Sequence, residues 1–346
     1  MIRALVVDDS AYNRVTISRM LESHPEIRVV ATAVHGEDAI KQVVKHRPDV
    51  ITLDLEMPVM DGFAFLRWLM HDRPTPVIAV SSKASDRSVF KALELGAFDF
   101  IQKPGGRVSP RLEEIRKDLI AKVLQVAQLR MDNLQRSIVN DEVGEVLKPV
   151  DAVGCQGGIE LIVIGCSTGG PPALQLLFQT LPLLPIPMVV AQHMPPAFTR
   201  LFAERVNRLS QYQVKEAMDG ESIENGVVYV APGGMQTEIR RGSAGLRIAV
   251  LPASANDLYA PSVDRLLQSA SEVCADKLIA VILTGMGDDG AASIRQLRDR
   301  GGRTIAESAE TAIIFGMPNE AIKTGAVEQV LPLGEIPAAI HRLCQG

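Results

Sequence analysis

Residues 161–170 read Leu161-Ile162-Val163-Ile164-Gly165-Cys166-Ser167-Thr168-Gly169-Gly170. An apolar run that stops on small residues predicts a buried strand and then a tight turn into a helix. Apolar runs of the same kind recur at 188–191, 227–230, 278–283, 304–305 and 327–331. Amphipathic stretches at 197–209, 263–273 and 291–300 lie between them. Strands alternating with helices in this way imply a parallel sheet covered on both faces. Residues 236–241 and 246–250 flank Gly242-Ser243-Ala244-Gly245, which predicts a hairpin appended to that sheet.

The same alternation fills the first hundred residues. Short β runs at 4–7, 28–31, 50–53, 77–80 and 99–101 are separated by helical stretches at 11–22, 37–45, 62–70 and 86–95. From 111 to 135, Leu112, Ile115, Leu119, Val126 and Leu129 recur at helical spacing and predict one long charged helix. Residues 142–158 lose that periodicity and carry Pro149, which places a domain boundary there. The expected organisation is a first domain over 1–125, a linker over 126–157 and a second domain over 158–346. Both are expected to be α/β, doubly wound parallel-sheet domains, the first flavodoxin-like and the second Rossmann-like with the hairpin added.

Composition narrows the function classes. Of 346 residues, 47% are hydrophobic and 22% charged, as in an ordinary globular protein. The net charge of −5 and the 4% aromatic content disfavour a nucleic-acid surface. No apolar run reaches the roughly 18 residues that span a bilayer, and MIRALVVDDS is too short and acidic for a secretory leader. The four cysteines, Cys155, Cys166, Cys274 and Cys344, are scattered without a C-x-x-C pair. That spacing fits free thiols in a reducing cytoplasm rather than disulfides or a zinc site.

Chemistry-bearing residues collect at the strand ends. In the first domain Asp8 and Asp9 end the first strand, Asp54 the third, Ser81 and Ser82 follow the fourth, and Lys103-Pro104 follows the fifth. In a parallel sheet these converge on one mouth. Three carboxylates there repel unless a hard cation such as Mg²⁺ neutralises them. A neutralised carboxylate can then attack a phosphoryl donor, with the lysine offsetting the growing charge.

In the second domain Gly165-Cys166-Ser167-Thr168-Gly169 matches G-x-S-x-G, the elbow that exposes a serine at the end of a sheet. A phosphate-binding or purely packing turn has the same composition. Gln192-His193-Met194-Pro195-Pro196 follows the next strand and makes His193 the candidate general base. Thr284-Gly285-Met286-Gly287-Asp288-Asp289-Gly290 offers two carboxylates that could orient the histidine. Either aspartate could instead cap the following helix. The order Ser, His, Asp is not that of an α/β-hydrolase, which runs Ser, Asp, His.

Over residues 1 to about 125, VVDDS, LDLEMPVMDG, VSS and QKP resemble the receiver domains of bacterial two-component regulators. Across nearly the whole chain, GCSTGG, QHMP, VYVAPGG, LTGMGDDGA and AESAETAIIFGMP resemble the chemotaxis protein-glutamate methylesterase / glutamine deamidase family. The first resemblance implies Asp54 as phosphoacceptor, and Asp9, Asp54 and the Glu56 backbone carbonyl as Mg²⁺ ligands with Asp8 acting through water. It further implies Ser81 and Lys103 as partners of the phosphoryl group and Phe100 as an aromatic switch. The second implies Ser167 as nucleophile, His193 as base and Asp289 as orienting acid. It also implies Met286 N–H in the oxyanion hole, Thr168 beside the nucleophile, and no cofactor for the hydrolase. Cys166 stands where the family commonly has alanine.

The implied substrate is the cytoplasmic domain of chemoreceptors, and the implied phosphoryl source is the histidine kinase of the chemosensory array. Neither nucleic acid nor membrane insertion is expected, and the location is cytoplasmic. The unphosphorylated receiver is expected to block the Ser167 mouth. Three rivals stand beside this reading. They are a receiver joined to a nucleotide-binding module, a DNA-binding regulator and an inactive scaffold. The glycine spacing of G-C-S-T-G-G and the absence of a basic recognition helix weigh against the first two.

Overall fold

The computed structural model describes residues 1–81, 88–103, 110–140, 157–243 and 245–345. The chain divides into two compact units, Met1–Val143 and Gly144–Gly346. Ser82, Pro104, Cys155 and most of the boundary region lie outside the described residues.

The first unit runs β1 (Ile2–Val7), α1 (Ala11–Glu22), β2 (Ile27–Ala33), α2 (Gly36–His46), β3 (Val50–Asp54), α3 (Gly62–Asp72), β4 (Val77–Ser81), α4 (Ser88–Glu94), β5 (Asp99–Gln102) and α5 (Pro110–Leu124). All five strands pair in parallel in the order β2-β1-β3-β4-β5. The order reverses between β1 and β3, so their carboxyl ends open the crevice where ligands bind in such sheets. Helix starts follow the capping rules. Ser10 accepts from the Asn13 amide at α1, and Asp61 from the Ala64 amide at α3.

The long helix expected over 111–135 is broken. α5 stops at Leu124, a 3₁₀ turn covers Gln125–Gln128, Leu129 is extended, and α6 (Met131–Asn140) begins afresh. No Gly or Pro marks the break. Tertiary burial decides it, since Leu119, Val123 and Gln125 are buried before it and Asn133 and Leu134 after it. Local periodicity cannot report such a change of direction.

The second unit contains β6 (Leu161–Cys166), α7 (Gly170–Thr180), β7 (Met188–Gln192), α8 (Pro196–Leu209), β8 (Gln213–Glu216), β9 (Val227–Val230), β10 (Met235–Gly242), β11 (Gly245–Pro252), α9 (Val263–Cys274), β12 (Leu278–Ile282), α10 (Ala291–Asp299), β13 (Arg303–Glu307), α11 (Met317–Lys323), β14 (Gln329–Leu331) and α12 (Ile336–Gln345). Seven strands pair in parallel in the order β14-β13-β12-β6-β7-β9-β8. β6, β7 and β12 are buried along their whole length, which is why they read as unbroken apolar runs.

Two features complete the second unit. β8 was not foreseen, because Gln213-Val214-Lys215-Glu216 is an edge strand whose side chains are mostly polar. The hairpin β10–β11 pairs antiparallel as its own two-stranded sheet rather than extending the large one. It contributes Ile239 and Ile248 to the core that α9 also lines.

Candidate active site

The second unit's sheet reverses its winding between β6 and β12, and the chemistry gathers at the strand ends there. Ser167 follows β6, His193 follows β7, and the loop 283–290 follows β12. Ser167 receives a firm backbone frame. Its N–H donates to Thr284 O at 3.0 Å, and its carbonyl accepts from Gly170 N–H at 2.8 Å. The turn passes through Gly169 at φ 79, a left-handed conformation that a side chain would strain. Ser167 Oγ makes no hydrogen bond among the described residues, and the residue is partly open to solvent. The elbow therefore presents a serine hydroxyl that the fold does not consume.

Gln192 ties the serine loop to the histidine loop. Its Nε2 donates to Ser167 O at 2.9 Å and to His193 O at 3.0 Å, and its Oε1 accepts from Cys166 Sγ at 3.0 Å. Cys166 is fully buried, and that burial pushes its thiol well above the usual range. A thiol held protonated in this way is a packing group and not a nucleophile.

His193 Nε2 lies 2.8 Å from Asp289 Oδ2. The carboxylate takes three further donors. Val263 N–H reaches Oδ2 at 2.7 Å, and Ser262 Oγ and Asp264 N–H reach Oδ1 at 3.0 and 2.8 Å. Asp289 thus sits on the N-terminus of α9, where amides and helix dipole favour negative charge. Burial pushes its carboxyl up, but His193 and these amides more than offset that and hold it below its ordinary value. Asp288 is exposed, and of the two aspartates it is Asp289 that meets the histidine. Neither side chain caps α10, whose N-cap is Gly290 without a side-chain bond. Asp289 serves α9 instead, a contact between residues 25 to 27 positions apart that local sequence could not reveal.

Thr168 is buried, and its carbonyl accepts from Thr284 Oγ1 at 2.9 Å. Met286 N–H donates to no described residue. The N-terminus of α7 offers few free N–H groups to an anion. Pro171 and Pro172 carry no N–H, and Gly170 N–H is spent on Ser167 O. Sequence reading missed Gln192, Ser262, Tyr259 and Glu307. Tyr259 stacks on His193 with centroids 4.6 Å apart.

In the first unit Asp8, Asp9 and Asp54 place carboxylate oxygens within 4.8 Å of one another. Asp8 and Asp54 are buried and Asp9 is exposed. Lys103 Nζ lies 2.5 Å from Asp54 Oδ2 and 3.4 Å from Asp8 Oδ2. Burial raises Asp54 to about 6, with Lys103 and the Glu56 amide pulling the other way. Glu56 N–H donates to Asp54 Oδ1 at 3.1 Å, and its carbonyl accepts from no described donor. Phe100 is buried on β5. The backbone of Ser81 pairs with Gln102 at the end of β4, and its side chain lies outside the described residues. All-oxygen donors carrying this much negative charge suit Mg²⁺.

Residues 4–111 match the sequence model of the response regulator receiver domain, and residues 162–340 that of CheB methylesterase. The chain belongs to the CheB methylesterase family. A protein-glutamate methylesterase/protein-glutamine glutaminase of Myxococcus xanthus is 46% identical over all of this chain and 98% of its own length. One from Geobacter sulfurreducens is 43% identical over 99% of this chain and 97% of its own. The crystal structure of the Thermotoga maritima CheB methylesterase catalytic domain, 40% identical, covers 54% of this chain and 98% of that one with a TM-score of 0.52. Among the described residues no helix is long and apolar enough to cross a membrane.

Proposed function

We propose that this chain hydrolyses glutamate γ-methyl esters, and deamidates glutamines, on the cytoplasmic domains of chemoreceptors, under control of phosphorylation at Asp54. The observation that carries the reading is the His193–Asp289 bond formed beside an unengaged Ser167. With Nε2 committed to Asp289, Nδ1 is the histidine nitrogen left to take the serine proton. Ser167 Oγ attacks the ester carbonyl carbon as His193 accepts its proton, and Met286 N–H stabilises the oxyanion, with Thr168 beside it. Methanol leaves with the proton returned by His193, and water then releases the glutamate by the same route. A glutamine side chain would release ammonia instead.

In the receiver, Asp9, Asp54 and the Glu56 carbonyl would hold Mg²⁺ directly and Asp8 through water. The bound cation would neutralise charge between carboxylate and phosphoryl oxygens. Asp54 accepts the phosphoryl group from the histidine kinase of the array, Lys103 and Ser81 pair with it, and Phe100 reports the change to the surface. The unphosphorylated receiver restrains the hydrolase. A cytoplasmic location follows from the substrate.

The test is methanol release from a methylated receptor cytoplasmic fragment, with and without Mg²⁺ and a small phosphodonor. Release should rise with the phosphodonor and disappear in Ser167→Ala. A 155–346 fragment should exceed the unphosphorylated full chain. Undiminished release by Ser167→Ala would overturn the nucleophile, and equal rates for fragment and full chain would overturn the restraint.

A further inference from the structure

The segment between β11 and α9 is gripped at three points by one buried side chain. Gln236, on β10, donates its Nε2 to Asp257 Oδ2 at 3.0 Å and to Tyr259 O at 2.7 Å. Its Oε1 accepts from Ser262 N–H at 2.9 Å. Gln236 is only 1% exposed, so this grip is sheltered from water. The segment so held delivers two things to one place. Ser262 and the two amides after it bind Asp289. Tyr259 lays its ring on His193, with centroids 4.6 Å apart and planes 7° from parallel. The phenol lies over the following turn, since a Cβ on Gly287 would stand 2.4 Å from its oxygen.

We propose that Tyr259 is a positioning residue for His193, whose ring face fixes the imidazole plane and stabilises the imidazolium formed during acyl transfer. The inference rests on reading Ser167 and His193 as nucleophile and base. An imidazole bonded only through Nε2 to Asp289 keeps freedom to rotate about that bond. A parallel ring removes it and would fix the approach of Nδ1 to the serine loop. That loop is near, because His193 N–H donates to Cys166 O at 3.0 Å. An aromatic face is also electronegative, so it attracts the charged imidazole more strongly than the neutral one. The attraction therefore grows as the proton arrives, which is when it speeds the reaction.

The charged groups around the pair are the Asp289 carboxylate on His193 and the carboxyls of Asp288 and Asp264, which act on Tyr259. Arg265 lines the same cleft of about 670 Å³. All of them are unchanged by substitution at Tyr259. Any movement of the histidine ring signals in such a variant thus reports the ring.

The experiment compares Tyr259→Phe, Tyr259→Leu and Tyr259→Met in the full chain. Phenylalanine keeps the face, leucine removes it, and methionine fills the length without a ring. Two readouts are taken. One is kcat/KM for methanol release against pH. The other is the NMR spectrum of the His193 ring in the free enzyme, which does not depend on turnover. Tyr259→Leu and Tyr259→Met should lose about 3- to 30-fold in kcat/KM, mostly in kcat. Tyr259→Phe should lose less than either and keep the His193 ring signals near their wild-type positions. The His193 ring protons should move downfield in the ringless variants as the neighbouring ring current disappears. Unmoved His193 ring signals in Tyr259→Met, or equal losses in Tyr259→Phe and Tyr259→Met, would overturn the proposal. Ser167→Ala run beside them separates the two layers. Activity surviving there would sink the nucleophile assignment, while the His193 ring signals would still test Tyr259 independently.

Discussion

Glu307→Gln should change how the second unit's stability depends on pH. Glu307 ends β13, 1% exposed, and accepts from Thr284 N–H at 2.7 Å and Thr311 Oγ1 at 2.9 Å. Burial raises its carboxyl from 4.5 to about 7, with the Thr284 amide and the Thr311 hydroxyl pulling back only part of the way. Between those two values the folded protein binds a proton that the unfolded chain has released. Stability therefore falls as pH rises, beginning near the unfolded value of 4.5 and levelling off above the folded value of about 7. Integrating a shift of that size from about pH 5 to about pH 8 gives a loss of about 2.5 kcal/mol. Glutamine keeps an oxygen for Thr284 N–H and does not titrate. It gives up the Thr311 bond as an acceptor, at about 1 kcal/mol regardless of pH. The diagnostic quantity is then the difference between the two proteins across that range, in which every other titrating group cancels. Hydrogen exchange of the β12 amides in a urea series, corrected for intrinsic rates, reads the unfolding of this unit alone. The variant should gain about 2 to 3 kcal/mol on the wild type between the acid and alkaline ends. Parallel curves would refute the reasoning, because they would mean that Glu307 ionises in the fold as it does in water.

Two further outcomes test other parts of the framework. Gly170→Ala would set a Cβ 2.0 Å from Gln192 Oε1, forcing that side chain off the Ser167 and His193 carbonyls. It should destabilise the second unit by about 1–3 kcal/mol in denaturant melts and slow methanol release as well. In the receiver, Lys122 Nζ lies 2.7 Å from the buried Asp99 carboxylate and 3.7 Å from Asp118. Lys122→Met removes the cation and leaves the carboxylates, so the first unit should lose about 3 kcal/mol, read from urea melts followed by the fluorescence of Trp68, the chain's single tryptophan.

What could be read in advance was whatever local sequence writes twice, as pattern and as punctuation. Buried strands such as Leu161–Cys166 and Leu278–Ile282 have apolar side chains on both faces and turns of glycine behind them. α1 was legible to its termini because Ser10 caps it and a polar turn follows. Residues at strand ends could be assembled without coordinates, since a parallel sheet collects them at one edge. Gln192, Gln236, Tyr259 and Ser262 were not legible. Each acts through a hydrogen bond or a ring contact with a residue far along the chain, and a glutamine or tyrosine in a loop has many uses. The break after Leu124 was invisible for the related reason that burial of Gln125 and Leu134 set it.

The order Ser, His, Asp along the chain is a consequence of strand order. β12, β6 and β7 are neighbours, with Cys166 beside Gln192 and Gly165 beside Ile282. The serine leaves the middle strand, the histidine one flank and the aspartate the other. Two flanking strands stand about 9–10 Å apart, twice the spacing of a pair, yet His193 and Asp289 meet at 2.8 Å. The pair must therefore close over the strand that carries Ser167. α9 makes this possible by bringing its N-terminus over β6. Its first residue, Val263, presses so close to Gly165 that a Cβ there would come within 2.3 Å of Val263 Cγ1. Small residues before the serine are thus needed twice, once for the turn and once to admit the helix end that holds Asp289. A hydrolase built on another strand order would place its acid and base in another sequence order and reach the same arrangement of atoms.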